Sequence, residues 1–230
     1  MPDWARKAMT HEAMLTIDIV ADIVCPWCFI GKRRLETAVA LVREAHPGFV
    51  CRTRWLPFFL NPDTPPEGEP YLPFLERKFG GQAPVEALFA RVREAGRAYG
   101  IDYAFEKIPL RANTLRAHRL IHWVQQRGNA DAVVERLFVA QFQRGEYVGD
   151  IALLAQIAAS SGYDAETVSD YLRSSADENL VRTTERQLRA MGIRMVPTFI
   201  VAGDKVVVGA EDPAVLAGCI LDHLTRSPGK

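Results

Sequence analysis

Apolar and β-branched residues crowd positions 15 to 24, LTIDIVADIV, and predict a strand. Directly after it, Phe29, Leu35, Val39 and Val42 recur at helical spacing until Pro47-Gly48, so a helix is expected there. Residues 49 to 56, FVCRTRWL, read as a second strand. Strand, helix and strand in about forty residues have the size of a βαβ unit. Its right-handed crossover sets the two strands parallel.

The pattern then breaks. Pro57, Pro62, Pro65, Pro66, Pro70 and Pro73 predict a loop over 57 to 73, since proline excludes a central strand or a long helix. From about 74 to 192 the period is helical with glycine punctuation. One helix opens near Pro84, carries Val85, Leu88, Phe89, Val92 and Tyr99, and ends at Gly100. Asn113 or Thr114 caps a second, which Gly128 ends. Asn129 starts a third, with Val134, Leu137, Phe138 and Phe142 inward and Gly145 as its stop. Asp150 and Asp164 cap the fourth and fifth, and residues 177 to 191 form a sixth before Gly192. Near the end, Thr198-Phe-Ile-Val-Ala and Lys205-Val-Val-Val-Gly read as antiparallel strands around a two-residue Gly203-Asp204 turn. Asp212 and Pro213 open a last helix through Leu221, followed by a tail from Ser227.

Two strands before the helices and two after them make no full sheet separately. The simplest arrangement is α/β: one four-stranded sheet with a helical domain inserted between its halves. The expected division is a tail over 1–14, one domain from 15–60 and 193–226, and a linker with the inserted helices over 61–192.

Composition narrows the function. Of 230 residues 48% are hydrophobic, enough for a packed core and against disorder. Lys+Arg number 28 against 28 Asp+Glu, so a general nucleic-acid binder's positive footprint is missing. No apolar run reaches the ~18 residues of a membrane span, and neither nucleic acid nor membrane is expected as a partner. Asp3, Arg6, Lys7, His11 and Glu12 interrupt the first residues, which therefore do not read as an export signal. The expected home is cytoplasmic, where a disulfide is more often catalytic than structural.

The candidate chemistry is Cys25-Pro26-Trp27-Cys28. Cys25 falls where a strand ends and a helix begins, and a helix N-terminus stabilises an anion. A thiolate there becomes a reachable nucleophile. Cys28, one turn on, can resolve a mixed disulfide by attacking Cys25. Pro26 suits the first turn, lacking only an N–H that would go unbonded. The competing reading is half of a zinc site. That needs a second ligand pair; neither Cys51 nor Cys219 belongs to one, and only His118 with His122 stand at i, i+4. Redox chemistry is therefore the expectation, with no metal. The second feature is Val196-Pro197 at the entrance of a strand, either an edge marker or a cis turn that exposes the Val196 backbone to an extended substrate.

With both features in order, the chain resembles the thioredoxin superfamily, and more narrowly its DsbA-like branch, whose helical domain interrupts a thioredoxin-like fold. DIVCPWCFIGKRRLE, Leu60-Asn61-Pro62, Asn113-Thr-Leu-Arg-Ala-His-Arg-Leu and Val196-Pro197-Thr198-Phe199 look like the FrnE-like group of cytoplasmic thiol–disulfide oxidoreductases. The resemblance implies a cis Pro197 packed against the cysteine pair, Cys25 attacking and Cys28 resolving. The same branch includes 2-hydroxychromene-2-carboxylate isomerases and kappa-class glutathione transferases, which generally carry serine at the position matching Cys25 and activate glutathione. A glutathione-dependent isomerase or transferase acting on an aromatic or polyketide-like molecule is thus the alternative activity. Neither Asp18 nor Asp22 falls at the position of the superfamily's proton-accepting acid, so no such role is carried over.

The remaining candidates are substrate-contacting. His118, on the inserted domain, is expected at the substrate groove or beside the thiolate. Asn113 reads as a helix cap with a ligand contact as its alternative, and Trp27 as part of the rim. Cys51 and Cys219 read as buried thiols, and Arg33-Arg34 as a solvated face. The expected function is thiol–disulfide exchange on a disulfide- or thiol-bearing protein or small molecule. It needs no tightly bound cofactor, with glutathione or a thioredoxin-type partner as reductant and glutathione as candidate co-substrate.

Overall fold

The computed structural model describes residues 14–226; the expected tail over 1–14, apart from Met14, and the one from Ser227 lie outside them. Four strands form the main sheet: β1 (Leu15–Ala21), β2 (Cys51–Pro57), β5 (Thr198–Val201) and β6 (Lys205–Val208), in the order β2-β1-β5-β6. β1 and β2 run parallel, Ile17 opposite Thr53, as a right-handed crossover requires. β5 pairs antiparallel with both β1 and β6. The crossover is α1 (Pro26–Ala45).

The period-two pattern of β1 decides what each face meets. Ile17, Ile19 and Ala21 join Phe199 and Val201 and pack with Phe29, Leu35, Ala38 and Val42 of α1. The last helix, α9 (Pro213–Arg226), adds Leu216 and Ile220 to the same core. Val20 and Ile200 point to the other face, where Phe58, Leu188 and Ile193 cover them.

Between β2 and β5 lies the helical insertion: α2 (Tyr71–Phe79), α3 (Gln82–Arg97), α4 (Leu115–Gln125), α5 (Asp131–Val139), α6 (Ile151–Ala159), α7 (Ala165–Arg173) and α8 (Glu178–Ala190). A two-stranded sheet of β3 (Glu69–Pro70) and β4 (Leu110–Arg111) accompanies them. Asp150 and Asp164 cap α6 and α7 as expected, each side chain accepting a backbone N–H at 2.8 Å. The packing does not stop at the insertion's border. An aromatic chain runs Phe89–Phe105–Tyr103–Phe142–Phe138, with Phe138 stacked on Phe29 of α1 at 5.1 Å and edge-on to Trp55 of β2 at 6.3 Å. Such pairs add about 0.5–1.5 kcal/mol each beyond area burial. Gln125, at the end of α4, finishes the rim of β2: its amide accepts from the Trp55 N–H at 2.6 Å and donates to the Trp55 carbonyl at 3.0 Å.

Four expectations are corrected. The proline-rich stretch does not stay loop to residue 73, because α2 begins at Tyr71 with Pro70 as cap and Pro73 in the first turn, where a missing N–H breaks no helical bond. The first strand stops at Ala21 rather than 24, the chain turning so that the Cys25 N–H reaches the Asp22 carbonyl at 3.0 Å. The final hairpin uses three residues, Ala202 to Asp204, with Ala202 and Gly203 both at positive φ. The third expected helix is α5 followed by one π turn, Ala140–Arg144, ending at left-handed Gly145.

Candidate active site

Cys25 is the N-cap of α1, its backbone extended at φ −95 and ψ 110. Pro26 follows in the first turn, and the Cys28 N–H closes that turn on the Cys25 carbonyl at 3.0 Å. Both thiols are free. Cys28 is 1% exposed and Cys25 only 5%, so the sulfur expected to attack is more enclosed than the sequence suggested. The cause is the segment ahead of β5. The Cys25 thiol donates a long hydrogen bond, 3.9 Å, to the Val196 carbonyl, and the Val196-Pro197 bond is cis. One turn into α1, Gly31 makes this approach possible: a Cβ there would stand 2.7 Å from Pro197 Cγ and 3.2 Å from Phe199 Cζ. The fold brings 25, 28, 31, 196 and 197 together although Cys25 and Val196 stand 171 positions apart in the chain.

Burial, then the hydrogen bond and charge of Cys25, then the Asp22 carboxylate hold the Cys28 thiol well above its ordinary pKa; the Asp22 backbone opposes them. The Cys28 thiol therefore keeps its proton to higher pH than a free thiol does. The cations on α1 do not serve the sulfur. Lys32 pairs with Glu36 and, at 2.8 Å, with Glu135; Arg33 pairs with Glu135 and, at 3.1 Å, with Glu36. Arg34 donates to the Ala210 carbonyl and lies over the Tyr99 ring. The expected solvated face at Arg33 and Arg34 is instead half-buried cross-bracing.

The insertion closes over the pair from the side. Tyr103 donates to the Pro26 carbonyl at 2.6 Å, and burial followed by the cysteine charges raises its phenol. Arg91 of α3 sits 5.6 Å over the Trp27 ring, so Trp27 is braced on the insertion and half-buried. His118 of α4 is buried against Asp22, Nε2 to Oδ1 3.4 Å, and meets the Phe59 ring edge-on at 5.4 Å. His122 turns to Asp177 at 3.9 Å. Among the described residues no three His, Cys, Asp or Glu side chains converge on a metal position.

Asn113 donates to the Thr64 carbonyl at 2.7 Å and accepts from the Leu115 N–H at 3.1 Å, holding the loop to the start of α4. Cys51 and Cys219 are half-buried rather than buried, and burial raises the Cys51 thiol. Sequence reasoning missed Asp22, Gly31 and Tyr103. Asp22 broke an apolar run three residues before Cys25, and Gly31 stood inside a helical pattern; both were usable signals. Tyr103 lies in an irregular segment and carried none.

The family model described as the DSBA-like thioredoxin domain matches residues 16–220. Among curated proteins, the uncharacterized protein YwbO of Bacillus subtilis is 26% identical over 208 residues, covering 90% of this chain and 96% of that protein. A probable DsbA oxidoreductase from Streptomyces coelicolor shares the fold with a TM-score of 0.83 and 28% identity, over 94% of this chain and 93% of that one. The fold also recurs, at a TM-score of 0.63 and 14% identity, in the cytosolic disulfide reductase DsbM from Pseudomonas aeruginosa with GSH, over 91% and 99% of the two chains.

Proposed function

This chain belongs to the family of DSBA-like thioredoxin domains, and from that membership together with its cysteine pair we propose that it is a thiol–disulfide oxidoreductase working through Cys25 and Cys28. The observation that carries the proposal is the arrangement of three groups: Cys25 capping α1, Cys28 one turn on and 1% exposed, and the Val196 carbonyl 3.9 Å from the Cys25 sulfur. Cys25 attacks a substrate disulfide and forms a mixed disulfide. Cys28 then displaces the substrate thiol and closes the Cys25–Cys28 disulfide; the reverse sequence oxidises a substrate dithiol. Val196 and Pro197 align the incoming chain, and Met195 beside them presents an exposed apolar side chain to it.

Exchange of this kind needs no tightly held cofactor. Glutathione or a thioredoxin-type protein supplies reducing equivalents, a reading supported by the fold shared with a reductase solved with GSH. The same neighbour, being cytosolic, supports a cytoplasmic setting. No helix among the described residues is long and apolar enough to cross a membrane.

Cys25→Ser should abolish exchange with a model disulfide, and Cys28→Ser should accumulate mixed disulfides visible by mass spectrometry. Full glutathione-dependent turnover in Cys28→Ser would instead favour the isomerase or transferase chemistry of the wider branch. Equilibration with glutathione buffers fixes the direction, since about 30 mV of potential is worth about 1.4 kcal/mol in this couple.

A further inference from the structure

A cavity of about 460 Å³ opens between β2 and the helices α4 and α8, apart from the cysteine pair: none of Cys25, Cys28, Val196 and Pro197 lines it. Its volume falls in the range of small-molecule sites. Arg52, Arg54, His118 and His122 are among its walls, and no Asp or Glu is. The acids that answer these groups stand behind them and do so unequally. Arg54 gives Nε and Nη2 to the Asp18 carboxylate, each at 2.6 Å, which leaves Nη1. His118 faces Asp22 at 3.4 Å and His122 faces Asp177 at 3.9 Å. Arg52, two residues before Arg54 and so on the same face of β2, is exposed and enters no ion pair among the described residues. The cavity also has two unlike ends. α4 runs antiparallel to β2, because Gln125 bonds Trp55 while His118 meets the ring of Phe59. Arg52 and Gln126 therefore share one end, and Leu56, Pro57 and Ile121 lie beyond Arg54 toward the other. Leu180 and Val181 of α8 add apolar wall. Gln125 is committed to Trp55, and the Thr184 hydroxyl donates to the Leu180 carbonyl at 2.9 Å, so neither serves a ligand first.

We propose that this cavity binds a small organic acid, its carboxylate on Arg52 and the Nη1 of Arg54, its apolar body against Leu56, Pro57 and Ile121. A guanidinium presents the forked donors that a carboxylate accepts. With Asp18 neutralising Arg54, the charge that remains for the ligand is that of Arg52. A cationic ligand finds no carboxylate on these walls. A neutral apolar one would cover the guanidinium groups without giving them a partner, which costs free energy. Inorganic phosphate would meet the cations and leave the apolar end to water. An acid with an apolar body satisfies both ends at once. The site is separate from the cysteine pair, and the inference does not depend on the exchange activity proposed above. Because β2 belongs to the sheet and α4 and α8 to the insertion, a bound acid bridges the two parts of the fold and stabilises their contact.

The test titrates isotopically labelled full-length protein with 3-phenylpropionate and with octanoate, each beside its uncharged amide. Backbone amide signals of residues 52–56, 121–126 and 180–184 should move and saturate. For ligands of about ten heavy atoms the dissociation constant should be about a millimolar or below. Each uncharged amide should bind at least about fivefold more weakly than its acid. Arg52→Gln, at an exposed position, should lose a similar factor for the acids, and Arg52→Lys should recover part of it. Signals far from the cavity that stay in place show that each variant is folded. Saturation by neither acid up to about 50 mM overturns the proposal. So do equal binding of acid and amide, or full affinity in Arg52→Gln. Shifts centred on Trp27 and Val196 would put the acid at the cysteine pair and overturn it as well. Inorganic phosphate is the last arm: displacement of the organic acids by phosphate at equal concentration would refute the role given to the apolar end.

Discussion

Gly31 offers a measurement in which one methyl group reports on the contact between α1 and Pro197. Alanine at 31 would place its Cβ 2.7 Å from Pro197 Cγ, 3.3 Å from Pro197 Cβ and 3.2 Å from Phe199 Cζ. Carbon atoms settle at about 3.5–4.0 Å, so the first contact is short by roughly an ångström. Neither side can yield easily. Gly31 lies in the buried part of a 20-residue helix, and Pro197 leads into β5, where Thr198 and Phe199 are buried in the centre of the sheet. Forcing a methyl group into such a site typically costs about 1–3 kcal/mol. Glycine to alanine inside a helix also stabilises by about 0.5–1 kcal/mol, which would mask part of the effect. Gly218 supplies the control: it too lies inside a helix, α9, and a Cβ there meets nothing within 4 Å. Gly218→Ala should therefore raise the melting temperature slightly, and Gly31→Ala should melt below it. At about 2–4 °C per kcal/mol for a chain of this size, the two variants should differ by roughly 2–12 °C. Exchange by Gly31→Ala should also slow, because Val196 moves with Pro197 relative to the Cys25 sulfur. Melting temperatures within about 1 °C of each other would refute the packing argument.

Phe29→Ala removes a fully buried ring stacked on Phe138 and should cost about 3–5 kcal/mol, read as a shifted urea midpoint with an unchanged slope. Gln125→Ala strips two hydrogen bonds from Trp55 and should cost about 1–3 kcal/mol, with faster exchange of the Trp55 amide proton; slow exchange there would contradict the assignment. Burial raises Tyr71, Tyr103 and Cys28, and raises Tyr171 to about 12. Each keeps its proton in the folded state to higher pH than in the unfolded chain. Below their ordinary values both states are protonated and stability is flat. Above roughly pH 8.5 for the thiol and 10 for the phenols the unfolded state binds fewer protons, so stability falls. Urea unfolding of the reduced protein should show that fall, with a smaller one after oxidation of the cysteine pair; a midpoint that rises with alkaline pH would contradict it.

The patterns of residues 15 to 56 and 198 to 208 were enough to read the sheet, because β1 and β5, the two central strands, are buried on both faces and carry continuous apolar runs, and a βαβ unit has one hand. The capping aspartates 150 and 164 were legible for the same local reason. The prolines at 70 and 73 misled, since proline at a helix start looks identical to proline in a loop until the downstream turns are seen. At the site, Cys25 and Cys28 declared themselves by spacing. Pro197 needed the resemblance to join them, because nothing local links positions so far apart. Asp22 was passed over because its place relative to Cys25 was judged against the superfamily's acid, whereas its burial depends on Leu60 and His118, contributed by other segments. Arg33 and Arg34 read as solvated because Glu135 and Ala210, which receive them, are distant in the chain.

The carboxamide of Gln125 has a consequence beyond its bonds to Trp55. It answers one residue of β2 as a neighbouring strand would, so extension of the sheet by a foreign chain is blocked at that point. The opposite border is β6, where Val206 and Val208 stand 55% and 46% exposed and Lys205 supplies the local charge. If destabilised copies of this protein stick to one another by strand addition, β6 is the border from which they will grow.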